Sequence, residues 1–518
     1  MPSKVLSAAV VGLDGALVEV EADISNGLTS FAIVGLPDTA VQEARERVRA
    51  AIKNSGVDFP SGRVTVNLAP ADLKKEGTAY DLPIAIAILT AAEEVRLSFG
   101  IAAQLEPEKI PWQQMLFVGE VALDGGIRPA TGVLPMALLA KQLQIPILFV
   151  PKANATEAAL IEGLIVYPVE SLKDIVEHLK GIKMIEPMSH LELLSEVNME
   201  GVIDMAYVAG QDHAKRALEI AAAGGHNILL TGPPGSGKTL LARAMVGILP
   251  AMTFDESIEV TKIYSVAGLL PTNKPIMTNR PFRAPHHMAS SAAVIGGGTS
   301  PKPGEITLAH RGVLFLDEVV EFHRDVLEGL REPLESGLVV VSRAGGTARF
   351  PAKFILVAAR NPCPCGYAGD PKHPCTCSAG QVIKYQKKIS GPLLDRIDLV
   401  VEVPRLKFDK LTEEKVAEAS EQIKQRVEAA RQRQVQRFNG STTKINSEIG
   451  VAEIKTVCRV DSDTQNLLRQ AVDKMHLSTR AYHRTLKLAR TIADLAGADN
   501  IAMGHVAEAL QYRPKMEL

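Results

Sequence analysis

The chain has few aromatic residues, almost no net charge and no long apolar run. Aromatic side chains make up 4% of its 518 residues, with a single tryptophan, which excludes an extensive stacking surface for single-stranded nucleic acid. Lysine and arginine number 57 against 59 aspartates and glutamates, so no overall basic field attracts a polyanion. No stretch approaches the roughly 20 apolar residues of a membrane span. We therefore expect no membrane partner, and any nucleic-acid binding must come from local patches.

Cysteine is also scarce, and its distribution is uneven. Four of the five cysteines fall within 363–377, and Cys458 stands apart. No export cleavage site follows the first residues, and 16–21 alternate in polarity as an amphipathic strand does. In a chain without an export signal, clustered cysteines indicate reduced thiols or metal ligands. These features predict a cytoplasmic protein.

The length predicts two to four domains, whose boundaries follow from changes in pattern. Residues 1–180 predict an α/β domain, and the Met-rich, acidic residues 181–205 predict a linker. Within 206–405, apolar strands are followed by helices, which predicts an α/β core with a parallel sheet. Residues 406–518 predict an α-helical lid that contains a long polar helix over 410–437. The strands expected at the centre of the sheet are 228–230, 313–316, 354–357 and 399–401.

The segment 232–239 matches the phosphate-binding loop in full, with an apolar strand before it and a helix after it. Its glycines let backbone N–H groups surround a phosphate at a helix N-terminus, which favours negative charge. Lys238 would reach the β- and γ-phosphates, and the Thr239 hydroxyl would bind Mg²⁺. The sequence thus predicts ATP and Mg²⁺ as cofactors. The loop consists of Gly232, Pro233, Pro234, Gly235, Ser236, Gly237, Lys238 and Thr239.

Two adjacent carboxylates, Asp317 and Glu318, follow the buried strand 313–316. The carboxyl ends of strands line the ligand crevice of an open α/β sheet. Burying two carboxylates there without a metal ion or water would be costly. We assign Asp317 to Mg²⁺ coordination and Glu318 to polarising the attacking water. A solvated helix cap is the alternative.

Further polar residues complete the predicted catalytic set. Asn361 follows the next strand, where an amide can hold the lytic water or contact the γ-phosphate. Arg396 is a candidate arginine finger, which neutralises charge on the transferred phosphoryl group; an ion pair with Asp395 or Asp398 is the alternative. Arg480 and Arg484 lie one helical turn apart, and they would close the lid over the phosphates.

The clustered cysteines suit a structural zinc site. Cys363, Cys365, Cys375 and Cys377 offer four soft thiolates, which close a tetrahedron around Zn²⁺. Their C-x-C spacing is tighter than the common C-x₂-C knuckle. Ligand-free turns of reduced cysteines remain the alternative, since proline and glycine stand beside them.

A hairpin is predicted around residues 344–346, between strands that carry Arg343 and Arg349. Both arginines are candidates for contact with DNA phosphates. The basic residues between Lys424 and Arg437 leave two interpretations open, a solvated helix face or further phosphate contacts.

Five further segments are distinctive, namely VAGQ at 208–211, FRAPHH at 282–287, GEITLAHRG at 304–312, NPCPCG at 361–366 and RAYHR at 480–484. Together with the features above, in this order, they resemble the AAA+ ATPases, and more closely the Mg-chelatase-like ComM/YifB family of bacteria. The resemblance covers nearly the whole chain. It implies that Lys238 is the Walker A lysine, Asp317 and Glu318 the Walker B pair, Asn361 sensor 1, and Arg396 a finger that acts on a neighbouring subunit. Arg480 is then sensor 2, with Arg484 as the alternate.

The first domain is similar to the fold of Lon proteases. Aligned on 76–79 and 125–130, the positions of the catalytic serine and lysine carry Ala79 and Ala130. Neither side chain offers a nucleophile or a base, so Ser–Lys proteolysis is excluded at that site. An alignment shifted by a residue would bring in Thr78 or Thr131 instead. The resemblance implies a catalytically inactive scaffold or a DNA-contacting module.

The resemblance implies a hexameric ring, a DNA helicase that drives branch migration during recombination in natural transformation. Its implied partners are identical subunits, branched or single-stranded DNA, and recombination proteins. The first alternative is a chelatase-type motor that drives Mg²⁺ insertion into a porphyrin with partner subunits, because that family has a similar ATPase core. The second is an adaptor that binds ATP only to assemble.

Overall fold

The computed structural model describes residues 2–95, 111–190, 203–271, 274–298, 301–343, 346–370, 373–406 and 418–513. They form two compact units. The first comprises Met1–Ser195 and Ser257–Met277, and the second comprises Glu196–Glu256 and Thr278–Leu518. The predicted domain 1–180 thus falls within the first unit, and residues 191–202 of the predicted linker 181–205 lie outside the described residues.

A seven-stranded mixed sheet forms the centre of the first unit. Its strand order is β3-β4-β2-β1-β5-β8-β9, in which β2 runs antiparallel to β1 and to β4. The strands are β1 Ser3–Val11, β2 Asp14–Ser25, β3 Ser30–Val34, β4 Arg63–Ala69, β5 Met115–Phe117, β8 Ile147–Pro151 and β9 Ile165–Val169; β6 Glu120–Val121 and β7 Ile127–Arg128 form a separate pair. Its helices are α1 Thr39–Asn54, α2 Asp81–Ala91, α3 Val133–Gln142, α4 Lys152–Ala158 and α5 Leu172–Leu179.

The apolar pattern of the sequence explains how this unit packs. In β4 the side chains of Val64, Val66 and Leu68 are fully buried, as their alternation with polar residues predicts. Helix α2 is buried over nearly all of its length. Its Asp81 carboxylate is buried too, and Arg47 satisfies it with two hydrogen bonds of 2.7 and 3.0 Å. Without that guanidinium the buried charge would be strongly destabilising.

Part of the predicted ATPase core belongs to the first unit. Helix α8 (Phe254–Ala267) begins in the second unit, but its residues from Ser257 onward group with the N-terminal sheet. Ser265 donates a hydrogen bond of 2.8 Å to the buried Glu157 carboxylate, and its carbonyl accepts one from the Gly132 N–H. Nothing in the local pattern of 206–405 predicts this grouping.

The second unit contains a parallel sheet of five strands in the order β11-β14-β17-β10-β18. Its strands are β10 Ile228–Thr231, β11 Phe282–Arg283, β14 Val313–Leu316, β17 Ile355–Arg360 and β18 Leu399–Glu402, with the pairs β12 Gly296–Gly297 and β13 Lys302–Pro303, and β15 Leu338–Arg343 and β16 Gly346–Pro351, outside it. Its helices are α6 Asp212–Gly224, α7 Lys238–Ile248, α9 Ser291–Ile295, α10 Glu305–Leu308, α11 Arg324–Gly329, α12 Arg331–Ser336, α13 Ala379–Gln386 and α14 Gly391–Leu394.

The prediction of a central position was wrong for the strand at 399–401. Strand β18 forms the edge of the sheet and, among the described strands, pairs with β10 alone. Leu399 and Val401 are nevertheless fully buried. The free edge is covered by the end of the chain, where the Val400 N–H donates to the Tyr512 carbonyl at 2.8 Å. The Leu399 and Val401 side chains belong to the hydrophobic core that the sheet shares with the C-terminal helices, so this edge strand is as apolar as a central one.

The C-terminal part is helical, as predicted. Its helices are α15 Ser420–Arg437, α16 Val451–Val457, α17 Ser462–Met475, α18 Thr479–Leu495 and α19 Met503–Gln511. Residues 410–417 of the predicted polar helix lie outside the described residues. The apolar faces of these helices share one hydrophobic core with the five-stranded sheet. Across the described ranges, no helix combines the length and the apolar character needed to cross a membrane.

Candidate nucleotide-binding site

The loop 232–239 connects β10 to α7 at the carboxyl end of the sheet. Gly232 is required by a close approach, because a β-carbon there would lie 2.2 Å from the Val403 carbonyl oxygen. Gly237 caps α7 in the left-handed region, with φ of 91°. The first backbone N–H groups of α7 therefore lie at the carboxyl end of the sheet, where they favour the binding of an anion. The main chain alone prepares this loop for phosphate.

The Lys238 ammonium group is held inside the loop. It donates hydrogen bonds to the carbonyls of Gly232 and Pro233 at 2.8 and 2.9 Å, and to Asn361 Oδ1 at 3.3 Å. Burial lowers the pKa of Lys238, and the charges of Asp317 and Glu318 oppose that shift. The structure thus brings the predicted lysine and the predicted sensor amide into direct contact, although 123 residues separate them.

Thr239 and Asp317 form the predicted magnesium position. The Thr239 hydroxyl donates to Asp317 Oδ2 at 2.7 Å. Both offer hard oxygen ligands, and neighbouring ligands of an octahedral Mg²⁺ lie roughly 2.9 Å apart at its usual bond lengths. The pair therefore fits this ion. Lys238, Thr239, Asp317 and Asn361 all lie at one edge of the sheet.

Glu318 lies two residues after the end of strand β14 and has an unusual backbone conformation. Its φ is 49°, in the left-handed region, and its N–H donates to Asp317 Oδ1 at 2.9 Å. The carboxylate is about half exposed, and Oε2 lies 3.8 Å from the His287 ring. This backbone turn separates the two carboxylates, so that Asp317 faces Thr239 while Glu318 faces solvent and a histidine.

The two arginines of helix α18 differ in their surroundings. Arg480 is exposed to solvent. Arg484 is mostly buried, donates to the Ile397 carbonyl at 3.3 Å and lies 3.7 Å from the Asp398 carboxylate. Although burial favours the neutral acid, the neighbouring His226, Arg484 and Arg513 hold the pKa of Asp398 at about 2. The Asp398 carboxylate therefore stays ionised, and it holds Arg484 within the same unit.

Arg396 is paired with a carboxylate that the sequence did not suggest. Its guanidinium group forms an ion pair with Glu335 of helix α12 and donates to the Pro392 carbonyl at 2.7 Å. The pairing is with neither Asp395 nor Asp398, the two predicted alternatives. Arg396 retains 17% of its side-chain exposure, and Glu335 retains 66%. The contact is thus open to solvent on the Glu335 side.

The two strands of the predicted hairpin are present as β15 and β16, with Val340 opposite Arg349, and turn residues 344 and 345 lie outside the described residues. Val339 and Phe350 are buried beneath it, whereas Val340 and Arg349 are exposed on its other face. Arg343, the other predicted DNA contact, ends β15.

The basic residues of helix α15 differ from those of the hairpin, because several of them already form ion pairs or hydrogen bonds within the second unit. Arg426 binds Glu219 and Glu418, Arg431 binds the Ala222 carbonyl, and Arg437 binds Asp494.

The four clustered cysteines come together directly after Asn361. Their sulfur atoms all lie within 4.8 Å of one another. All four are free thiols; Cys363 is buried and the others are partly buried. Backbone N–H groups of Tyr367 and Thr376 lower the pKa of Cys365 to about 5. The cluster could hold a metal ion.

Sequence reasoning gave no role to two residues that contact the site. Gln211, buried at the start of α6, donates to the Pro404 carbonyl at 2.7 Å and to the Ser236 carbonyl at 3.3 Å. It thereby joins the phosphate loop to the end of β18. His287 lies beside Glu318. Gln211 and His287 both belong to segments that carry the family resemblance, but the residues that they contact are distant from them in sequence.

In the first unit, Ala79 and Ala130 pack against the same apolar cluster. Asn154 bridges the backbone of Ala130 through two hydrogen bonds of 2.9 Å. The Thr78 hydroxyl is bound to Glu120. Neither alanine supplies a nucleophile or a base, so the described residues at these positions carry no Ser–Lys chemistry.

Comparison with known proteins gives full-length relatives. The chain is 45% identical to "Competence protein ComM" of Haemophilus influenzae, over 99% of its own length and 98% of the relative. It is 43% identical to "Uncharacterized protein YifB" of Escherichia coli K12, over 99% of the chain and 97% of the relative. A similarity of 30% identity to the "Magnesium-chelatase 38 kDa subunit" of Rhodobacter capsulatus spans 31% of this chain and 51% of that protein.

The fold and the site define a P-loop nucleotide-binding protein of the AAA+ class, with a helical C-terminal part. Three models of the magnesium chelatase subunit ChlI family match it, one at 204–411, one at 20–154 and one for its C-terminal region at 417–513. The chain belongs to the Mg-chelatase-like ComM/YifB family.

Proposed function

We propose that this protein is an ATP-driven DNA motor that acts in the cytoplasm as a ring of identical subunits, most simply a hexamer. In this proposal it drives branch migration of recombining DNA during natural transformation. The observation that carries the proposal is the similarity, over 99% of the chain, to a protein whose name assigns it to competence. The assembled nucleotide site supplies the means, since ATP hydrolysis can drive movement.

The geometry supports a division of labour in hydrolysis. The loop and Lys238 would bind the phosphates, and Thr239 with Asp317 would hold Mg²⁺, which neutralises charge on them. Glu318, exposed beside them, is free to accept a proton from the attacking water. Asn361, which accepts a hydrogen bond from Lys238, would contact the γ-phosphate and so sense whether it is present. Arg396 of a neighbouring subunit would complete the site after leaving Glu335.

The hairpin is the element that we propose for DNA contact. It lies in the chain between the strand that precedes Asp317 and the strand that precedes Asn361, so its motion can follow the nucleotide state. Its exposed Arg349 offers a cation for a backbone phosphate. The sequence supplies a second candidate, Arg343, at the end of β15. The arginines of α15 are less suited, because they already pair with carboxylates and carbonyls of their own unit.

A chelatase motor is the second candidate, and the matches to the ChlI family models favour it. Such a motor would hydrolyse ATP to insert Mg²⁺ into a porphyrin with partner subunits. The similarity to a chelatase subunit of known name is limited to 31% of this chain. The full-length similarity to a competence protein therefore favours the DNA motor.

We predict that DNA stimulates ATP hydrolysis severalfold or more. The measurement is steady-state phosphate release by the purified protein, alone and with single-stranded DNA, duplex DNA or a four-way junction. Lys238→Ala serves as the blank, since it removes the ammonium group that binds the phosphates. Stimulation by branched or single-stranded DNA supports the motor. If no DNA changes the turnover but a porphyrin with its partner subunits raises it, the result would support the chelatase instead.

A further inference from the structure

The four-cysteine cluster has the dimensions of a zinc site. Three of its sulfur separations are 3.3 Å (Cys363–Cys365), 3.7 Å (Cys363–Cys375) and 3.6 Å (Cys365–Cys375). In a tetrahedral site with Zn–S bonds of about 2.3 Å, the sulfurs lie roughly 3.8 Å apart. The Ala368 N–H also donates to Cys363 Sγ at 3.3 Å, the kind of second contact that orients a thiolate ligand. The cluster therefore fits Zn²⁺ with little rearrangement.

The segment that carries the cluster contacts the phosphate loop. Gly366, between the first and second pairs of cysteines, lies against Pro234. A β-carbon on Gly366 would be 2.7 Å from Pro234 Cδ and 2.8 Å from Cγ, which no side chain can tolerate without movement. On its other side, the cluster begins two residues after Asn361, whose amide binds Lys238. The cysteine segment thus contacts the phosphate loop at Gly366 and follows Asn361 closely in the chain.

We propose that the four cysteines bind a zinc ion that clamps Gly366 against Pro234, so that zinc occupancy sets the affinity for nucleotide. With zinc bound, four bonds fix the two pairs of cysteines, and Gly366 beside the first pair supports Pro234 of the phosphate loop. Without zinc, no contact of comparable strength among the described residues holds the two pairs together, and Pro234 loses that support. This inference concerns nucleotide binding alone, and it stands whether or not the protein moves DNA.

The test measures bound zinc and nucleotide affinity in the full-length protein, without DNA. We expect about one zinc ion per chain by elemental analysis. Cys365→Ser and Cys375→Ser should each lose the zinc and bind a fluorescent ADP analogue roughly tenfold more weakly, about 1.4 kcal/mol. Cys458→Ala is the control, because Cys458 lies outside the cluster, and it should keep both zinc and affinity. Chelation of zinc from the wild-type protein should reproduce the loss, and added Zn²⁺ should reverse it.

A pair of glycine variants separates the clamp from the metal site. Gly366 and Gly369 both lie in the left-handed region, with φ of 86° and 81°, but a β-carbon on Gly369 would meet no atom within 4 Å. Gly366→Ala should therefore keep zinc yet weaken nucleotide binding, while Gly369→Ala should change neither. A protein that neither contains nor takes up zinc would overturn the metal site. Unchanged nucleotide affinity after chelation, or in Gly366→Ala, would overturn the clamp.

Discussion

Glu318→Gln is expected to bind ATP as the wild type does, and to lower its turnover by about a hundredfold or more. The amide keeps the shape of the side chain but cannot accept a proton from water. Binding should survive because the loop, Lys238 and the Thr239–Asp317 pair do not depend on the Glu318 carboxylate. The measurements are steady-state phosphate release and the dissociation constant of a fluorescent ATP analogue.

A matched control lies three residues further along the chain. Glu321→Gln removes an exposed carboxylate of the same turn, whose partner is Lys388 at 3.1 Å, and should leave turnover within about twofold. Turnover of Glu318→Gln within a few fold of the wild type would contradict the role of Glu318. Loss of ATP binding in the same variant would contradict the division of labour between binding and hydrolysis.

Arg396→Ala is expected to lower turnover by roughly a thousandfold or more in the assembled ring, as removal of an arginine finger does. The guanidinium group is held by Glu335 and by the Pro392 carbonyl of its own chain. To serve a neighbouring site it must exchange Glu335 for a phosphate, and the exposure of Glu335 makes that exchange feasible. Glu335→Ala keeps the guanidinium group and should retain turnover, which makes it the matched control.

Mixed rings show whether the finger acts between subunits. Lys238→Ala cannot bind ATP but carries Arg396, whereas Arg396→Ala binds ATP but lacks the finger. A mixture of these two inactive variants should recover part of the wild-type turnover, because some interfaces then combine an intact loop with an intact finger. Full turnover by Arg396→Ala alone, or no recovery in the mixture, would contradict an active site shared between subunits.

Features contained in one short segment could be predicted from the sequence. The phosphate loop, the acidic pair after β14, the strands of the hairpin and the helix that carries Arg480 and Arg484 all occur where their patterns predict them. In each case neighbouring residues determine the conformation, through glycine geometry, alternation or a helix cap. Hence the elements proposed to hold the nucleotide were accessible without any tertiary information.

Features that depend on contacts distant in sequence were not accessible. Strand β18 is as apolar as a central strand because Leu399 and Val401 are buried in a core shared with helices as far along the chain as α19 (Met503–Gln511). The partner of Arg396 is Glu335, whereas the sequence suggested only its close neighbours. The contact of Gly366 with Pro234, and the grouping of Ser257–Met277 with the first unit, leave no periodic signal either.

The most direct test of the account is branch migration of a fluorescently labelled four-way junction. Wild-type protein with ATP and Mg²⁺ should convert the junction into two duplexes, while Glu318→Gln and Lys238→Ala should not. Arg343→Ala combined with Arg349→Ala should uncouple the motor, with DNA movement lost and basal ATP hydrolysis kept. An assembled wild-type protein that hydrolyses ATP but leaves every junction intact would contradict the proposed DNA motor.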